Sequence, residues 1–424
     1  MADDVPARAC VAPAGRGPRL RLAFVCHCLR PDDETAGRIG GAERVAAELL
    51  AALRARGDVD VHLVAASAAS DRLEFAGFAF RALRNLWRLA RRREIDAVLF
   101  TAFPTAWMAL LLAPVFRRHG VTGAAICHGQ DITWPVAPYQ WLLPRVFAAL
   151  DLILPVSQAT GAECLARGVS PRRLKVVANG ADLGRFAAPP AFEARRAILE
   201  AAFPMEARGL GAEDFVLCAV GRQVERKGHA WFVREVMPRL DPGTRLWLAG
   251  DGPQSAAISA SVRQAGLADR VRLLGAVTDA QLHALYRGAD LMVMPNVPIA
   301  DDIEGFGLVM IEANLNGLPV VASDLEGPGE VVSDGVNGRL APPLDAAAFA
   351  GLIDELRRDP ATRGRLGSQG EAFVRRTFGA ADMAERYVEV LKAAAAIPGG
   401  EEPVQRSRLA LNGWMVPSSS GGGA

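Results

Sequence analysis

The residues best suited to chemistry lie in two short stretches of the second half. One reads MPNVPIADDIEGFGLVMIEANLNGLPV over 294–320 and places two glutamates, Glu304 and Glu312, around Gly305-Phe306-Gly307. The spacing predicts a strand over 290–295, a loop with Asp301, Asp302 and Glu304, then a glycine-opened helix. Glu312 falls on its second turn, and Gly317-Leu318-Pro319 stops it. A helix N-terminus at the carboxyl end of a strand is an anion site, because free amides and the helix dipole point at the ligand. The other stretch, Gly221-Arg222-Gln223-Val224-Glu225-Arg226-Lys227-Gly228, follows the apolar run FVLCAV. It brings Arg222 and Lys227 to a second strand end. A guanidinium grips phosphate oxygens with two prongs, and an ammonium adds a point charge. In isolation, a solvated basic loop reads the same way.

Two weaker signals stand beside these. The turn Ala249-Gly250-Asp251-Gly252-Pro253 lets backbone approach a ligand. Leu274-Gly275-Ala276-Val277 offers small residues for a flat base, with Thr278 as a helix cap. Two cations, a helix dipole and two carboxylates together fit a nucleoside diphosphate-sugar. Cations and dipole hold the diphosphate and stabilise its charge as it leaves, while carboxylates accept hydrogen bonds from ribose and sugar hydroxyls.

These groups need a frame. Strands are predicted over 19–26, 59–65, 96–100, 121–127, 150–154 and 174–177, with helices over 42–56, 79–93, 105–117, 137–149 and 157–167. A connecting helix over 192–202 leads to strands over 215–220, 245–249, 270–274, 290–295, 319–322 and 338–340. Helices over 361–376 and 380–395 close the chain. Alternating helices and near-continuously apolar strands mean parallel sheets covered on both faces. The 424 residues suffice for two domains. The expected class is α/β: two Rossmann-like domains facing across a cleft, with C-terminal helices closing the chain. The expected boundaries are a disordered N-terminus 1–18, a first domain 19–190 for the acceptor and a second domain 191–378 for the nucleotide-sugar. A helix 379–396 packs back toward the first domain, and 397–424 is a disordered tail.

A net charge of +1 argues against general nucleic-acid binding. Six scattered cysteines without a CxxC fit a reducing cytoplasm. The N-terminus lacks a signal-peptide core, and the longest uncharged run, 101–116, is broken by Pro104 and Pro114, so no membrane span is expected. Cys26-His27-Cys28 and Cys127-His128 do not have the spacing of a structural zinc site, and ordinary core is the better reading. Asp131 either orients an acceptor hydroxyl or caps a helix, and Asp32, Asp33 and Glu34 read as a solvated loop. The run FRALRNLWRLARRR over 80–93 puts Phe80, Leu83, Trp87 and Ala90 on one helical stripe, with Arg81, Arg84, Arg88, Arg91 and Arg92 off it. Such a helix either buries its stripe in the core or lies on anionic lipid, in which case the protein is peripheral on the inner face of the membrane.

The runs GRxxxxKG, AGDGP, LGxV, ADLMVMPN, EGFGLVMIEAxxxGLPVVAS and GxNGxL, in this order, resemble the second domain of the family-4 glycosyltransferases. Gly40-Gly41-Ala42-Glu43-Arg44, Val156-Ser157 and Asn179-Gly180-Ala181-Asp182 resemble the first, so the likeness spans about residues 19–395. The resemblance implies the GT-B fold and transfer, with retention, of a sugar from a UDP- or GDP-sugar to a hydroxyl acceptor. That acceptor is a glycan or lipid-linked molecule of cell-surface polysaccharide or glycolipid synthesis. It also implies no bound metal and no other cofactor, with the leaving phosphate as the base.

Residue by residue, the resemblance implies that Arg222 and Lys227 bind the diphosphate and Glu312 the ribose. Glu304 and His128 meet the transferred sugar, and these two with Arg222 and Lys227 form the catalytic set. Val277, Gly305 and the amides of Phe306, Gly307 and Leu308 line the donor, and Gly41 meets the phosphates on closure. The chain departs from the family pattern at Asn296, at Asn314-Leu315-Asn316 and over Asp324–Glu330, which leaves the choice of donor open. A nucleotide-sugar epimerase of the same fold, or an inert sugar-nucleotide binder, shares the diphosphate pocket. The epimerase needs more first-domain acids and histidines than His128 and Asp131.

Overall fold

The computed structural model describes residues 19–29, 40–67, 72–186, 189–190, 194–211 and 213–395. The segment 1–18, the loop with Asp32, Asp33 and Glu34, and the tail 397–424 lie outside the described residues.

The first half alternates β1 (Leu20–Leu29), α1 (Gly41–Ala55), β2 (Val59–Ser67), α2 (Arg72–Arg91), β3 (Ala97–Phe100), α3 (Phe103–Ala106), α4 (Ala109–His119), β4 (Thr122–Cys127), α5 (Gln130–Thr133), α6 (Ala137–Ala149), β5 (Leu152–Pro155) and α7 (Gln158–Ala166). Its strands form a parallel sheet in the order β2-β1-β3-β4-β5. Every residue of β3, β4 and β5 is buried, as sheets covered on both faces require.

After α8 (Arg195–Ala202), the second half runs β6 (Phe215–Val220), α9 (His229–Trp231, continued by a wider turn to Val236), β7 (Thr244–Ala249), α10 (Ser255–Gln264), β8 (Val271–Gly275), α11 (Asp279–Gly288), β9 (Leu291–Met294), α12 (Leu308–Leu315), β10 (Val320–Ser323), α13 (Pro328–Val331), β11 (Gly338–Ala341), α14 (Ala346–Arg358), α15 (Pro360–Thr377) and α16 (Ala380–Ala395). The second sheet is also parallel, in the order β11-β10-β9-β6-β7-β8. The chain winds from β6 outward to β8, then returns to β9 on the other side. That reversal opens a crevice beyond the carboxyl ends of β6 and β9, where open α/β sheets bind ligands. The same reversal occurs in the first sheet between β1 and β3. The expected α/β class with two Rossmann-like sheets is the one observed.

Three expectations need correction. Residues 174–177 do not form a strand, and only Leu174 bridges to Ile153. Lys175 and Val177 donate to the carbonyls of Ile153 and Pro155, but Pro155 has no N–H to return. The helix expected over 105–117 is two, because Met108 N–H bonds to Thr105 across a tight turn between α3 and α4. Helix α2 starts well before residue 79, and its core face keeps Ala90 and, in part, Leu83 of the expected stripe but not Phe80 or Trp87. Phe78, Ala79, Ala82, Leu86, Leu89 and Ala90 are buried, whereas Phe80 is 69% and Trp87 43% exposed. Three alanines share the buried face with Phe78, Leu86 and Leu89, so Phe80 and Trp87 mislead about which face is inside. Arg81, Arg84, Arg88, Arg91 and Arg92 are all exposed.

At the far end of the chain, α16 packs against α1 of the first half. Lys392 Nζ lies 2.8 Å from Asp58 there. The crossing is bonded to the first half: Ala181 N–H donates to Phe378 O at 2.8 Å, and Ala380 N–H to Ala181 O at 2.9 Å. No helix among the described residues is long and apolar enough to cross a membrane.

Candidate active site

The site begins where β6 ends. Arg222 follows Gly221, is exposed, and has no ion-pair partner among the described residues. The loop then makes a tight turn over Glu225–Lys227 and leaves it at Gly228, whose φ is +65°. A Cβ at Gly228 would run into the carbonyl oxygen of Pro295, so glycine lets the loop after β6 lie directly on the loop after β9. This contact carries Lys227 inward, where it is 6% exposed.

Its Nζ lies 2.7 Å from Glu304 Oε2. Arg226 Nε approaches the same oxygen at 3.3 Å, and its Nη1 bonds Asp302 at 3.0 Å. Asn296 Nδ2 donates to Glu304 Oε2 at 3.3 Å. Burial pushes the Glu304 carboxyl up, but the cations of Lys227 and Arg226 outweigh it and hold the group at about 2. Burial likewise pulls Lys227 below the ordinary value for an amine, with Glu304 opposing. Glu304 is therefore ionised at neutral pH, inside a knot of its own cations.

Gly307 caps helix α12 at its N-terminus, and the Phe306 ring is buried against Phe378 at 5.7 Å between ring centres. A Cβ added to Gly41 would lie 3.8 Å from Leu308 Cδ1, so the N-termini of α1 and α12 meet across the two domains. Two positive helix ends thus sit side by side. On the second turn of α12, Glu312 is 5% exposed. Tyr286 OH donates to its Oε2 at 3.0 Å, and Arg44 Nη1 lies 2.5 Å from its Oε1. Burial, then the nearby Glu312 charge, raise the Tyr286 hydroxyl well above its ordinary value.

The first domain contributes the turn after β4. His128 Nε2 donates to Thr101 O at 2.9 Å, and its amide N–H donates to Asp131 Oδ1 at 2.8 Å. The Phe103 amide donates to the other Asp131 oxygen at 3.3 Å. Asp131 thus ties down the turn. A Cβ on Gly305 would run into the His128 carbonyl, so the domains touch there backbone to backbone. Around the crevice, Gln223 bonds the glycine turn through Gly250 O and Asp251 O, each at 2.8 Å. Half-buried Val277 precedes Thr278, which caps α11 by accepting from Gln281 N–H at 3.2 Å.

The structure therefore joins Lys227 to Glu304, Gly41 to Leu308 and Gly305 to His128, while Arg222 stands apart and Glu312 has separate partners. Sequence reasoning passed over Arg226, Asp302, Asn296, Arg44 and Tyr286 as site residues. Arg226 and Arg44 lie inside the motifs GRxxxxKG and Gly40–Arg44, and Asn296 stands out in the sequence only as a departure from the family pattern. Tyr286 had no local signal, since its partner comes from another helix. Cys26 and Cys127 are buried core, and no cluster of three His, Cys, Asp or Glu residues suited to a metal occurs among the described residues.

Known proteins resemble this chain. Residues 39–185 match the model described as Glycosyltransferase Family 4, and residues 214–359 match Glycosyl transferases group 1. A GDP-mannose-dependent alpha-(1-6)-phosphatidylinositol monomannoside mannosyltransferase of Mycolicibacterium smegmatis is 30% identical, over 67% of this chain and 72% of its own. A lipopolysaccharide core biosynthesis glycosyltransferase of Rhizobium meliloti, LpsD, is 33% identical over 42% of this chain and half of its own. Among solved structures, Anabaena HepE in complex with UDP has a TM-score of 0.68 at 20% identity, over 88% of this chain and 100% of its own. That likeness shows the fold. On the matches to both domains and the mannosyltransferase similarity, the chain belongs to the family-4 glycosyltransferases.

Proposed function

We propose that this glycosyltransferase moves a sugar, with retention, from a UDP- or GDP-sugar to a hydroxyl of a glycan or lipid-linked acceptor in cell-surface polysaccharide or glycolipid synthesis. One observation carries the reading. Exposed Arg222, with no ion-pair partner among the described residues, and buried Lys227 flank the crevice of the second sheet, and α12 begins at that crevice. In this reading Arg222, Lys227 and the α12 amides from Phe306 to Leu308 hold the diphosphate. Glu312 takes the ribose hydroxyls, and Glu304 and His128 face the sugar. The bond from the sugar C1 to the phosphate oxygen breaks as the acceptor oxygen bonds C1 from the same face. The acceptor proton passes to the departing phosphate. Fixed cations and helix dipoles stabilise the charge that develops on that phosphate.

Domain limits at 19–190 and 191–378, with helix 379–396 returning to the first, suit this division into acceptor and donor sides. The relatives named above are glycosyltransferases, which favours transfer over epimerisation. A panel of nucleotide sugars assayed for free nucleoside diphosphate tests the reaction. Release with one donor is expected, together with a loss of about 100-fold or more in Arg222→Ala. Conversion of the donor into a second sugar nucleotide, or no release with any donor, overturns the reading.

The exposed arginines of α2, with Phe80 and Trp87 among them, favour a peripheral position on anionic lipid, where basic and aromatic side chains act together. Sedimentation with anionic vesicles is expected for the full chain. Its loss when Arg84, Arg88 and Arg91 become glutamate supports that position, and sedimentation unchanged by these substitutions rejects it.

A further inference from the structure

The main charged partner of Glu312 comes from the other domain. Arg44, on α1, lies with Nη1 2.5 Å from Glu312 Oε1 and Nη2 3.4 Å from Asp279 Oδ1. Tyr286 takes the remaining carboxylate oxygen at 3.0 Å. The side chains of Arg44 and Glu312 are 17% and 7% exposed, so the pair is withdrawn from water and each charge depends on the other. The tie extends outward. Asp279 also meets Arg185 at 3.4 Å, and Arg185 meets Glu48 of α1 at 3.1 Å. Along a separate seam, Glu330 accepts from the amides of Gln158 and Ala159 at the start of α7, at 2.8 and 3.0 Å.

A ribose presents two neighbouring hydroxyls, and a carboxylate receives them best through both oxygens on its open side. In this conformation Arg44 covers one Glu312 oxygen and Tyr286 the other. We infer that Arg44 competes with the donor ribose for Glu312, so that the bond between the domains must open before the nucleotide seats. The inference rests on the reading of Glu312 as the ribose carboxylate. When hydroxyls replace the guanidinium, Arg44 remains beside Asp279 and needs no new partner. Arg44 is thus a positioning residue: it holds the domains together through the group that later reads the ribose.

The apparent affinity of a ligand falls by the fraction of molecules able to receive it. If Arg44 holds Glu312 in about nine molecules of ten, nucleotide binding is about tenfold weaker than the open site allows. The full chain is titrated with whichever of UDP, GDP or ADP raises its melting temperature most, and with the matching nucleoside. Arg44→Ala is expected to bind both about tenfold tighter, with a lower donor KM and no rise in kcat. Arg44→Met keeps the aliphatic stem and reads the same change should the alanine variant fold poorly. Unchanged or weaker binding to the variants overturns the competition. Weaker diphosphate binding with unchanged nucleoside binding overturns it too, because it assigns Arg44 to the phosphates. If neither wild type nor variants bind any of the three diphosphates, the donor reading fails and takes the competition with it. Wild-type binding with no gain in the variants rejects the competition alone.

Discussion

The carboxyl edges of the two sheets are built differently. Beyond the second sheet, the loops after β6, β7 and β9 lie backbone on backbone, and Lys227, Arg226 and Asn296 all converge on Glu304. Beyond the first sheet, His128 is held by the Thr101 carbonyl and by Asp131, and the adjoining turn leaves Trp134 53% exposed. One edge places charge at fixed points, and the other frames an open surface. On the proposed division into donor and acceptor sides, this difference is what a shared donor and a variable acceptor require. A diphosphate is the same in every donor, so its cations can be fixed, whereas acceptor contacts vary with the loops that carry them.

The contrast breaks most readily at Lys227. Its loss strands the buried Glu304 charge and, on the proposed reading, removes a diphosphate cation. Lys227→Ala is expected to lower turnover 100-fold or more, with a stability loss of about 3 kcal/mol in denaturant titration. Turnover near wild type would remove the fixed-charge account of the second edge.

Next in size is a pair of glutamates set in opposite directions. Lys227 and Arg226 hold Glu304 at about 2, whereas burial drives Glu48 on α1 up to about 7 despite Arg185. For Glu304 the folded value lies below the ordinary 4.5. It therefore adds stability above that pH, and this is lost as pH falls toward 2. Glu48 has the opposite sign. The folded protein keeps a proton that the unfolded chain releases, so stability declines as pH rises from 4.5 to about 7. Glu48→Gln is expected to remove a decline of about 3 kcal/mol, read from melting temperatures across that range. A slope identical to wild type contradicts the buried setting of Glu48.

Asp131→Ala leaves the amides of His128 and Phe103 without an acceptor. About 1–3 kcal/mol of stability should be lost on denaturant titration, with KM for the acceptor rising more than KM for the donor. An equal rise in both would blur the division between the edges. The smallest effect is expected from Trp134→Ala. It should raise KM for the acceptor a few-fold and leave nucleotide binding within error, since an exposed ring contributes about 1 kcal/mol or less. A change in nucleotide affinity would place Trp134 on the wrong edge.

Legibility in the sequence follows the same division. The alternation of apolar strands and helices located both sheets, and glycines beside charged residues located the loops after β6 and β9. Their contacts are local in sequence or set by backbone geometry, so short motifs record them. Arg44 and Glu312 are distant in sequence and meet only through the docking of two domains, which no periodicity reports. The buried face of α2 departs from the expected stripe because Ala79 and Ala82 carry little side chain yet line the core, while Phe80 and Trp87 face outward. The strand expected over 174–177 failed on one missing amide, at Pro155. Such misses arise where a single atom or a distant partner decides.

The crossing of the chain between its halves has a mechanical consequence. Ala181 and Gly379 lie side by side, bonded through Ala181 N–H to Phe378 O and through Ala380 N–H to Ala181 O, and a Cβ on Gly180 would press on Gly379 O at 2.6 Å. A joint stitched at one line resists sliding and twisting but still permits swinging. A swing of the halves about that line would leave these two bonds intact while opening the contacts of Arg44 and Glu330 farther out. A pair of labels, one on each half and far from the joint, would report that swing.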